Sequence, residues 1–169
     1  MKISKATEQD IPGLVTLINS AYRGETSKKG WTTEADLLEG IRTNTDMLTQ
    51  MIDRENAAIL KFCDDTDTLK GCVYLEKKNT KMYLGMLTVS PTEQAKGIGK
   101  KLLSASEDHA RKNNCSAMQM KVFSVRPELI NWYERHGYYK TGEIIPFTPD
   151  TKFETTKQPL EFLLLEKRL

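Results

Sequence analysis

Apolar positions in the first third of the chain recur at the spacing of one helix face, which predicts helices after a short first strand. Residues 3–6 predict that strand, and Thr7 can cap the following helix, with Asp10 three residues later. The core face of this helix would consist of Ile11, Leu14, Val15, Ile18, Ala21 and Tyr22. Thr33 predicts the cap of a second helix, with core positions Ala35, Leu38 and Ile41. A third helical segment is predicted over residues 45–54.

The rest of the chain alternates between β-rich runs and helical stretches. The predicted elements are, in order, strands over 57–64, 69–77 and 82–89, a helix from 98 to about 113, a strand over 117–123, a helix over 128–136, and strands over 138–143 and 160–166. A polar loop with three prolines, residues 146–159, separates the last two strands. No repeat or change in composition divides the chain, so we expect one α/β domain over residues 1–169.

The composition fits one enzyme domain and excludes several other classes of protein. With 25 basic and 23 acidic residues, the net charge of +2 gives no bulk attraction to nucleic acid or to acidic membranes. No apolar run approaches the roughly 18 residues of a membrane span, and residues 1–5 lack the apolar core of a signal peptide. We therefore expect a cytoplasmic monomer or homodimer with no nucleic-acid and no membrane partner.

The cysteines and histidines give little support to a disulfide framework or a metal site. Cys63, Cys72 and Cys115 are odd in number and widely spaced, so we interpret them as small buried hydrophobic residues. His109 and His136 are the two histidines, and no paired Cys or His spacing occurs. We expect no bound metal.

The most informative segment is the glycine-containing stretch 94–100, which follows the apolar run 82–89 and opens a predicted helix. Backbone N–H groups at the start of a helix lack intrahelical partners, and the helix dipole favours negative charge there. Glycines allow close backbone approach, and lysines add positive charge. The segment therefore predicts a cradle for a di- or polyphosphate, built from Gln94, Ala95, Lys96, Gly97, Ile98, Gly99 and Lys100. The alternative is a tight turn and a capped helix with solvated lysines.

The spacing of the glycines narrows the choice of phosphate ligand. A P-loop needs Gly, four residues and Gly-Lys-Ser/Thr, and a dinucleotide fingerprint needs Gly-x-Gly-x-x-Gly; neither fits this segment. The pattern Gln94-x-x-Gly97-x-Gly99 instead resembles the pyrophosphate loop of the GNAT family, the acyltransferases that use acetyl-coenzyme A (acetyl-CoA).

A second segment, residues 131–138, strengthens this resemblance. It is similar to the other signature of the GNAT family, in which a helix ends in a tyrosine, here Tyr133, followed by three residues, a glycine and an aromatic residue. Gly137 suits the left-handed position that stops a helix. The two motifs occur in the expected order, separated by one predicted helix and one strand. The resemblance extends over essentially the whole chain.

The resemblance implies a fold, a cosubstrate and a set of site residues. A GNAT fold has a mixed, mostly antiparallel sheet of about seven strands, flanked by helices and splayed between its fourth and fifth strands, and the coenzyme lies in the resulting V. The strand before the phosphate loop would offer backbone groups to the pantetheine arm and the acetyl carbonyl, at Leu87, Thr88 and Val89. Tyr133 would be the general acid for the leaving thiolate, since a phenol is protonated at neutral pH; the rival interpretation is a structural tyrosine.

The sequence gives the least information about the general base and the acceptor. Glu25 and Glu34 are candidates for the base, because they lie in the segment that covers the acceptor site in this fold. Tyr22, Arg23 and Trp31 in the same segment are candidates for the acceptor pocket. Many relatives place an asparagine seven residues before the motif tyrosine, whereas this chain has Arg126, whose role the sequence leaves open.

Three functions are consistent with these residues. The leading one is an acetyl-CoA-dependent N-acetyltransferase that moves an acetyl group to a small-molecule or peptide amine by direct attack. The alternatives are a non-catalytic module that senses acyl-CoA, which would need the phosphate loop but not Tyr133, and a protein that binds ATP at the glycine loop. The absence of a Lys-Ser/Thr pair for magnesium disfavours the ATP-binding alternative.

Overall fold

The computed structural model describes all 169 residues, which form nine strands, five α-helices and a short 3-10 turn. In chain order these are β1 (Lys2–Lys5), the 3-10 turn (Glu8–Asp10), α1 (Ile11–Tyr22), α2 (Gly24–Ser27), β2 (Leu38–Gly40), α3 (Thr45–Asp53), β3 (Ala57–Cys63), β4 (Leu69–Lys78), β5 (Lys81–Val89), α4 (Ile98–Lys112), β6 (Ala117–Phe123), α5 (Pro127–Glu134), β7 (Tyr139–Pro146), β8 (Glu154–Thr156) and β9 (Glu161–Arg168). None of these helices is both long enough and apolar enough to cross a membrane.

Seven strands form the main sheet, in the order β1-β3-β4-β5-β6-β9-β7. Only β5 and β6 pair in parallel; every other neighbouring pair is antiparallel. This confirms the predicted mixed, mostly antiparallel sheet. The two remaining strands, β2 and β8, pair as a separate small sheet.

The sheet splays between β5 and β6, the fourth and fifth of the predicted strands. They pair over only three residue couples, from Lys81↔Ala117 to Tyr83↔Gln119, and then separate. The register between β4 and β5 shifts at the same level, and Met86 takes a left-handed φ of 50°. A bulge of this kind bends its strand and increases the local twist, so β5 turns away from β6 and opens a cleft.

The helices cover the two faces of the sheet with separate apolar cores. On one face, α4 and α5 contribute Leu102, Leu103 and Ile130 to a cluster of 18 buried residues. On the other face, α1 and α3 contribute to a cluster of ten, which includes Leu14 and Leu48. Truncation of such a fully buried leucine to alanine costs about 2–5 kcal/mol. The two cores fix the helices at either side of the cleft.

The prediction of a helix after Thr33 is wrong. Residues 38–40 instead form β2, which pairs with β8 inside the segment predicted as a polar loop. Leu37 and Leu38 pack with Phe123 and Leu160 in a small third core, and Gly40 has a φ of +103°. The apolar residues have helical spacing, but pairing with a distant segment determines the structure here. The loop before Thr33 also contains the short helix α2. The other predicted elements are confirmed, with boundaries that differ by up to three residues.

Candidate active site

Two cavities meet where the sheet splays. The larger one, of about 540 Å³, lies between the glycine loop, α5 and the end of β5. The smaller one, of about 220 Å³, lies between the separating strands β5 and β6 and the loops that carry Arg42 and Phe153. Four residues line both cavities: Tyr22, Leu87, Leu129 and Tyr133. A ligand in one cavity can therefore reach a ligand in the other beside these side chains.

The glycine loop presents a row of unpaired backbone donors to the larger cavity. The N–H groups of residues 94–100 make no hydrogen bond to any protein group, and the helical ladder begins only with the Lys101 N–H, which donates to the Gly97 carbonyl. Ala95 and Gly97 have φ of 67° and 82°, which turns the loop into the first turn of α4. Successive free N–H groups at a helix start attract an anion. The loop has the geometry of the predicted phosphate cradle.

The two lysines of the loop differ in placement. Lys100 lines the larger cavity. Lys96 does not line it; its ammonium lies 2.9 Å from the Glu93 carboxylate, and its side chain is mostly exposed. Lys100 is the better placed of the two to contact a phosphate.

Gln94 uses its side chain to hold a neighbouring segment, residues 30–32, against the loop. Its Oε1 accepts a hydrogen bond of 2.7 Å from the Trp31 N–H, and its Nε2 donates to the Thr32 hydroxyl at 2.8 Å and to the Val89 carbonyl at 3.1 Å. A Cβ at Gly30 would lie 2.5 Å from Gln94 Oε1, so a larger residue there would displace the Gln94 amide. The Gln94 amide thus joins residues 30–32 to the end of β5.

The end of β5 supplies the wall between the two cavities. Leu87 lines both cavities and Val89 lines the larger one, whereas the Thr88 side chain is fully buried and its hydroxyl donates to the Met86 carbonyl. The Tyr22 hydroxyl donates a hydrogen bond to the Leu87 carbonyl. Burial raises the pKa of Tyr22 to about 12, so its hydroxyl keeps its proton at neutral pH.

Tyr133 projects from α5 to the junction of the cavities. Its ring is 5 % exposed and packs edge-on against Trp132, with the ring centroids 5.0 Å apart. Its hydroxyl has no hydrogen-bond partner in the protein, and burial raises its pKa far above the usual range. The phenol is therefore a protonated donor that faces the junction and is free to bond a ligand.

The two candidate bases have different surroundings. Glu25 lies in α2, is 89 % exposed and pairs with Lys28, and it lines neither cavity. Glu34 is buried and lines the smaller cavity; its Oε1 lies 3.3 Å from Nη2 of Arg23. Glu154 shares that Nη2 at 2.9 Å. Glu154 and Arg42 are wall residues that the sequence did not indicate, because no motif marks them.

The three residues predicted for the acceptor pocket separate. Tyr22 and Arg23 line the smaller cavity. Trp31 instead lines the larger cavity, where its ring lies 6.4 Å from that of Trp132. No group of three or more potential ligand residues could hold a metal ion, and the three cysteines are buried and free.

Comparison with known sequences agrees with this geometry. The sequence model of the acetyltransferase (GNAT) family matches residues 17–138, which include the second half of α1, the glycine loop and the helix that carries Tyr133. The chain belongs to the GNAT family. The predicted resemblance is confirmed over most of its length.

Individual relatives match only part of the chain or have low sequence identity to it. The chain is 33 % identical over 67 residues to "Acetyltransferase Atu2258" of Agrobacterium fabrum, a match that spans 40 % of this chain and 47 % of that protein. Among solved structures, ribosomal-protein-alanine N-acetyltransferase from Brucella melitensis superposes with a TM-score of 0.76 at 16 % identity, over 100 % of both chains. The PaiA N-acetyltransferase from Thermoplasma acidophilum, solved with coenzyme A, gives 0.72 at 19 % identity, over 99 % of this chain and 98 % of that one. These structures show the shared GNAT fold.

Arg126 is where this chain departs from a common GNAT pattern, and the structure gives the side chain a role. Its Nη2 donates to the Trp31 carbonyl at 3.0 Å, its Nη1 lies 3.5 Å from the Thr32 carbonyl, and its Nε pairs with Glu128 at 2.8 Å. Arg126 is buried at the N-terminus of α5. Arg126 thus contacts the carbonyls of the segment 30–32, whereas Gln94 contacts the Trp31 N–H and the Thr32 hydroxyl.

Proposed function

We propose that this protein is an acetyl-CoA-dependent N-acetyltransferase that moves an acetyl group to a primary amine by direct attack in a ternary complex. The observation that carries the proposal is the meeting of two cavities at Leu87 and Tyr133, with unpaired N–H donors along one of them. Two substrates bound from opposite sides would have their reacting atoms held together, which replaces an encounter in solution by an oriented contact.

The larger cavity is proposed to hold acetyl-CoA. The free N–H groups of residues 94–100 and the Lys100 ammonium fit the pyrophosphate, and the backbone of Leu87 to Val89 fits the pantetheine arm. Acetyl-CoA supplies an activated acetyl group as a thioester. Because β6 leaves β5 after Tyr83, the β5 edge at Leu87 is open to such a ligand.

Tyr133 is proposed as the general acid. Its side chain is buried, and its hydroxyl is protonated and without a protein partner, so it can donate a proton at the sulfur position. A raised pKa makes the phenol a weaker acid, but it also keeps the proton in place over the whole physiological range. The neighbouring rings of Trp132 and Tyr138 fix its orientation.

Glu34 is proposed as the group that receives the proton of the amine. Glu34 and Glu154 share one guanidinium, that of Arg23, so the trio has one excess negative charge beside the smaller cavity. Negative charge there attracts an ammonium, and the Glu34 carboxylate is a base that can accept its proton. Glu34 lines the smaller cavity together with Tyr22 and Tyr133, which stand at the junction.

The proposal is tested by binding and turnover on the same preparation. Trp31 and Trp132 are the only tryptophans in the chain, and both line the larger cavity, so their fluorescence reports its occupation directly. We expect acetyl-CoA to change this fluorescence at micromolar concentrations, ATP not to compete, and a panel of primary amines to include acceptors that release free CoA thiol. Absence of acetyl-CoA binding at millimolar concentration would reject the proposal. Binding without turnover on any amine would favour the non-catalytic sensing module.

A further inference from the structure

Arg42 places an unpaired guanidinium on the wall of the smaller cavity. Its side chain makes no hydrogen bond or ion pair within the protein, and its Cζ lies 5.7 Å from the centroid of the Tyr22 ring. The guanidinium is partly buried, and its five N–H donors fit a carboxylate in a bidentate arrangement. Arg23 and Arg126, the other arginines on this wall, each form an ion pair with at least one carboxylate.

Opposite charge lies near this free arginine. The trio of Arg23, Glu34 and Glu154 has one positive and two negative groups, and both carboxylates line the same cavity as Arg42. The cavity wall therefore carries one excess negative charge at this trio and one unpaired positive charge at Arg42; we call these two sites the poles of the cavity. The remaining charged wall residues, Lys121 and Asp150, are exposed at its rim.

Both poles act at the junction with the larger cavity. The Tyr22 hydroxyl contacts the Leu87 carbonyl there; the pKa of this phenol is raised chiefly by burial, with opposing smaller effects from the charges of Arg42, which lowers it, and Glu34, which raises it. A ligand that neutralised both poles would hold its amine close to the point of acetyl transfer.

Between the poles the cavity is apolar and aromatic. Its wall includes the rings of Tyr83, Phe123, Phe147, Phe153 and Phe162. Its volume of about 220 Å³ lies below the roughly 300–1,000 Å³ of sites for drug-sized ligands, so it fits a small molecule.

We propose that the acceptor is a small zwitterionic amine of the amino-acid type with an apolar side group. Its carboxylate pairs with Arg42, its side group packs on the aromatic wall, and its amine lies toward Glu34. This inference rests on the proposed acetyltransferase function. The transfer forms the amide N–C bond and breaks the thioester C–S bond; of the two protons lost by the ammonium nitrogen, one ends on the thiol sulfur and one leaves through Glu34 to solvent.

The test compares acceptors that differ only at the carboxylate. Phenylalanine, phenylalaninamide and phenethylamine are assayed with acetyl-CoA by thiol release, next to the corresponding leucine set and spermidine. The amine of the free acid is intermediate in basicity between those of the amide and the decarboxylated amine, so a preference for the acid cannot arise from basicity. We expect kcat/KM for the acid to exceed both others by at least about tenfold, since a charge-assisted bidentate pair is lost without the carboxylate.

Arg42→Gln should reduce that preference at least about tenfold, chiefly through the KM of the acid. Arg42→Lys should retain part of it, because a single charge remains without the planar fork. The matched control is Arg168→Gln, an exposed arginine that lines neither cavity; it should leave the preference unchanged.

Different outcomes would overturn the inference about the acceptor and the proposed acetyltransferase function. Amides, decarboxylated amines or spermidine as the better acceptors, an unaltered preference in Arg42→Gln, or acetyl-CoA binding without transfer to any amino acid would overturn the inference. Failure to bind acetyl-CoA at all would instead reject the proposed function.

Discussion

The Tyr22 hydroxyl donates a hydrogen bond to the Leu87 carbonyl and so links the C-terminus of α1 to the strand at which the two cavities meet. Leu87 belongs to the bulged part of β5, where the pairing with β4 is irregular. We infer that this bond fixes the orientation of the peptide between Leu87 and Thr88, which is part of the backbone proposed to contact the pantetheine arm.

Tyr22→Phe tests this link. Removal of a single hydrogen bond typically costs about 0.5–1.5 kcal/mol, so kcat should fall about 3- to 10-fold while acetyl-CoA affinity changes little. Steady-state kinetics and tryptophan fluorescence titration on one preparation give both numbers. A loss of coenzyme affinity as large as the loss of kcat would show that Tyr22 supports the larger cavity rather than the transfer point.

Gly99 allows a test of the phosphate cradle that does not damage the fold. A Cβ at this position would lie 3.7 Å from the Trp132 ring and from Val89, an ordinary contact, and φ is not in the left-handed region. Gly99→Ala should therefore leave the melting temperature unchanged or raise it, since alanine is the better helix former. Acetyl-CoA affinity should fall at least about tenfold, because the methyl group occupies part of the cradle.

Two other glycines serve as controls for Gly99→Ala. Gly13→Ala, in α1 and outside both cavities, should improve stability slightly without any change in binding. Gly97→Ala should lower stability by about 1 kcal/mol because its φ of 82° is left-handed. Normal coenzyme binding by Gly99→Ala would contradict the cradle.

Tyr133→Phe removes the proposed acid and keeps the packing of the ring. We expect kcat to fall by about one to three orders of magnitude, in the range of general-acid effects, with little change in acetyl-CoA affinity. A structural tyrosine would give the reverse result, a lower melting temperature with normal turnover. Because burial raises the pKa of Tyr133, the pH profile of kcat should show no loss of its proton below about pH 10.

The same burial predicts a loss of stability at high pH. Burial raises the pKa of Tyr22, Tyr133 and Tyr138 in the folded protein above the value near 10 of the unfolded chain. Their contribution to folding is complete below pH 10 and is lost as the pH rises above it, by up to about 1.4 kcal/mol per pH unit for each group. Urea unfolding at pH 9, 10 and 11 measures this loss. A constant free energy of unfolding across that range would contradict it.

Local features of the site were predictable from the sequence, and long-range ones were not. The glycine loop and the end of α5 at Gly137 depend on neighbouring residues, so their motifs predicted them. Glu154 reaches Arg23 across 131 positions of the chain, and no periodicity encodes such a contact. The strand at residues 38–40 was missed for the same reason, since its partner lies in β8.

Arg126 departs from the common GNAT pattern, and its role follows only from contacts with residues that are distant in the sequence. The role of Arg126 was left open by the sequence, and Glu128, two residues away, is the nearest of its partners along the chain. In the structure it meets the carbonyls of Trp31 and Thr32, 94 or more positions earlier in the chain. Its function follows from this contact, which positions the segment at residues 30–32 beside the larger cavity.

Gln94 and Arg126 both bond Trp31 and Thr32, which predicts that their contributions to stability are coupled. Gln94→Leu and Arg126→Met should each lower the free energy of unfolding by about 1–3 kcal/mol, because each removes hydrogen bonds of a buried or partly buried polar group. If either change already frees the segment, the double variant should lose less than the sum, by more than about 0.5 kcal/mol.

Limited proteolysis reports on the segment itself. Trypsin cleavage after the exposed Lys28 and Lys29, directly before residues 30–32, should accelerate in both single variants and little further in the double variant. Acetyl-CoA should slow this cleavage in the unsubstituted protein, because Trp31 and Thr32 line the proposed coenzyme cavity. Additive losses of stability, together with cleavage that acetyl-CoA does not slow, would show that the segment is neither held as one unit nor part of the coenzyme site.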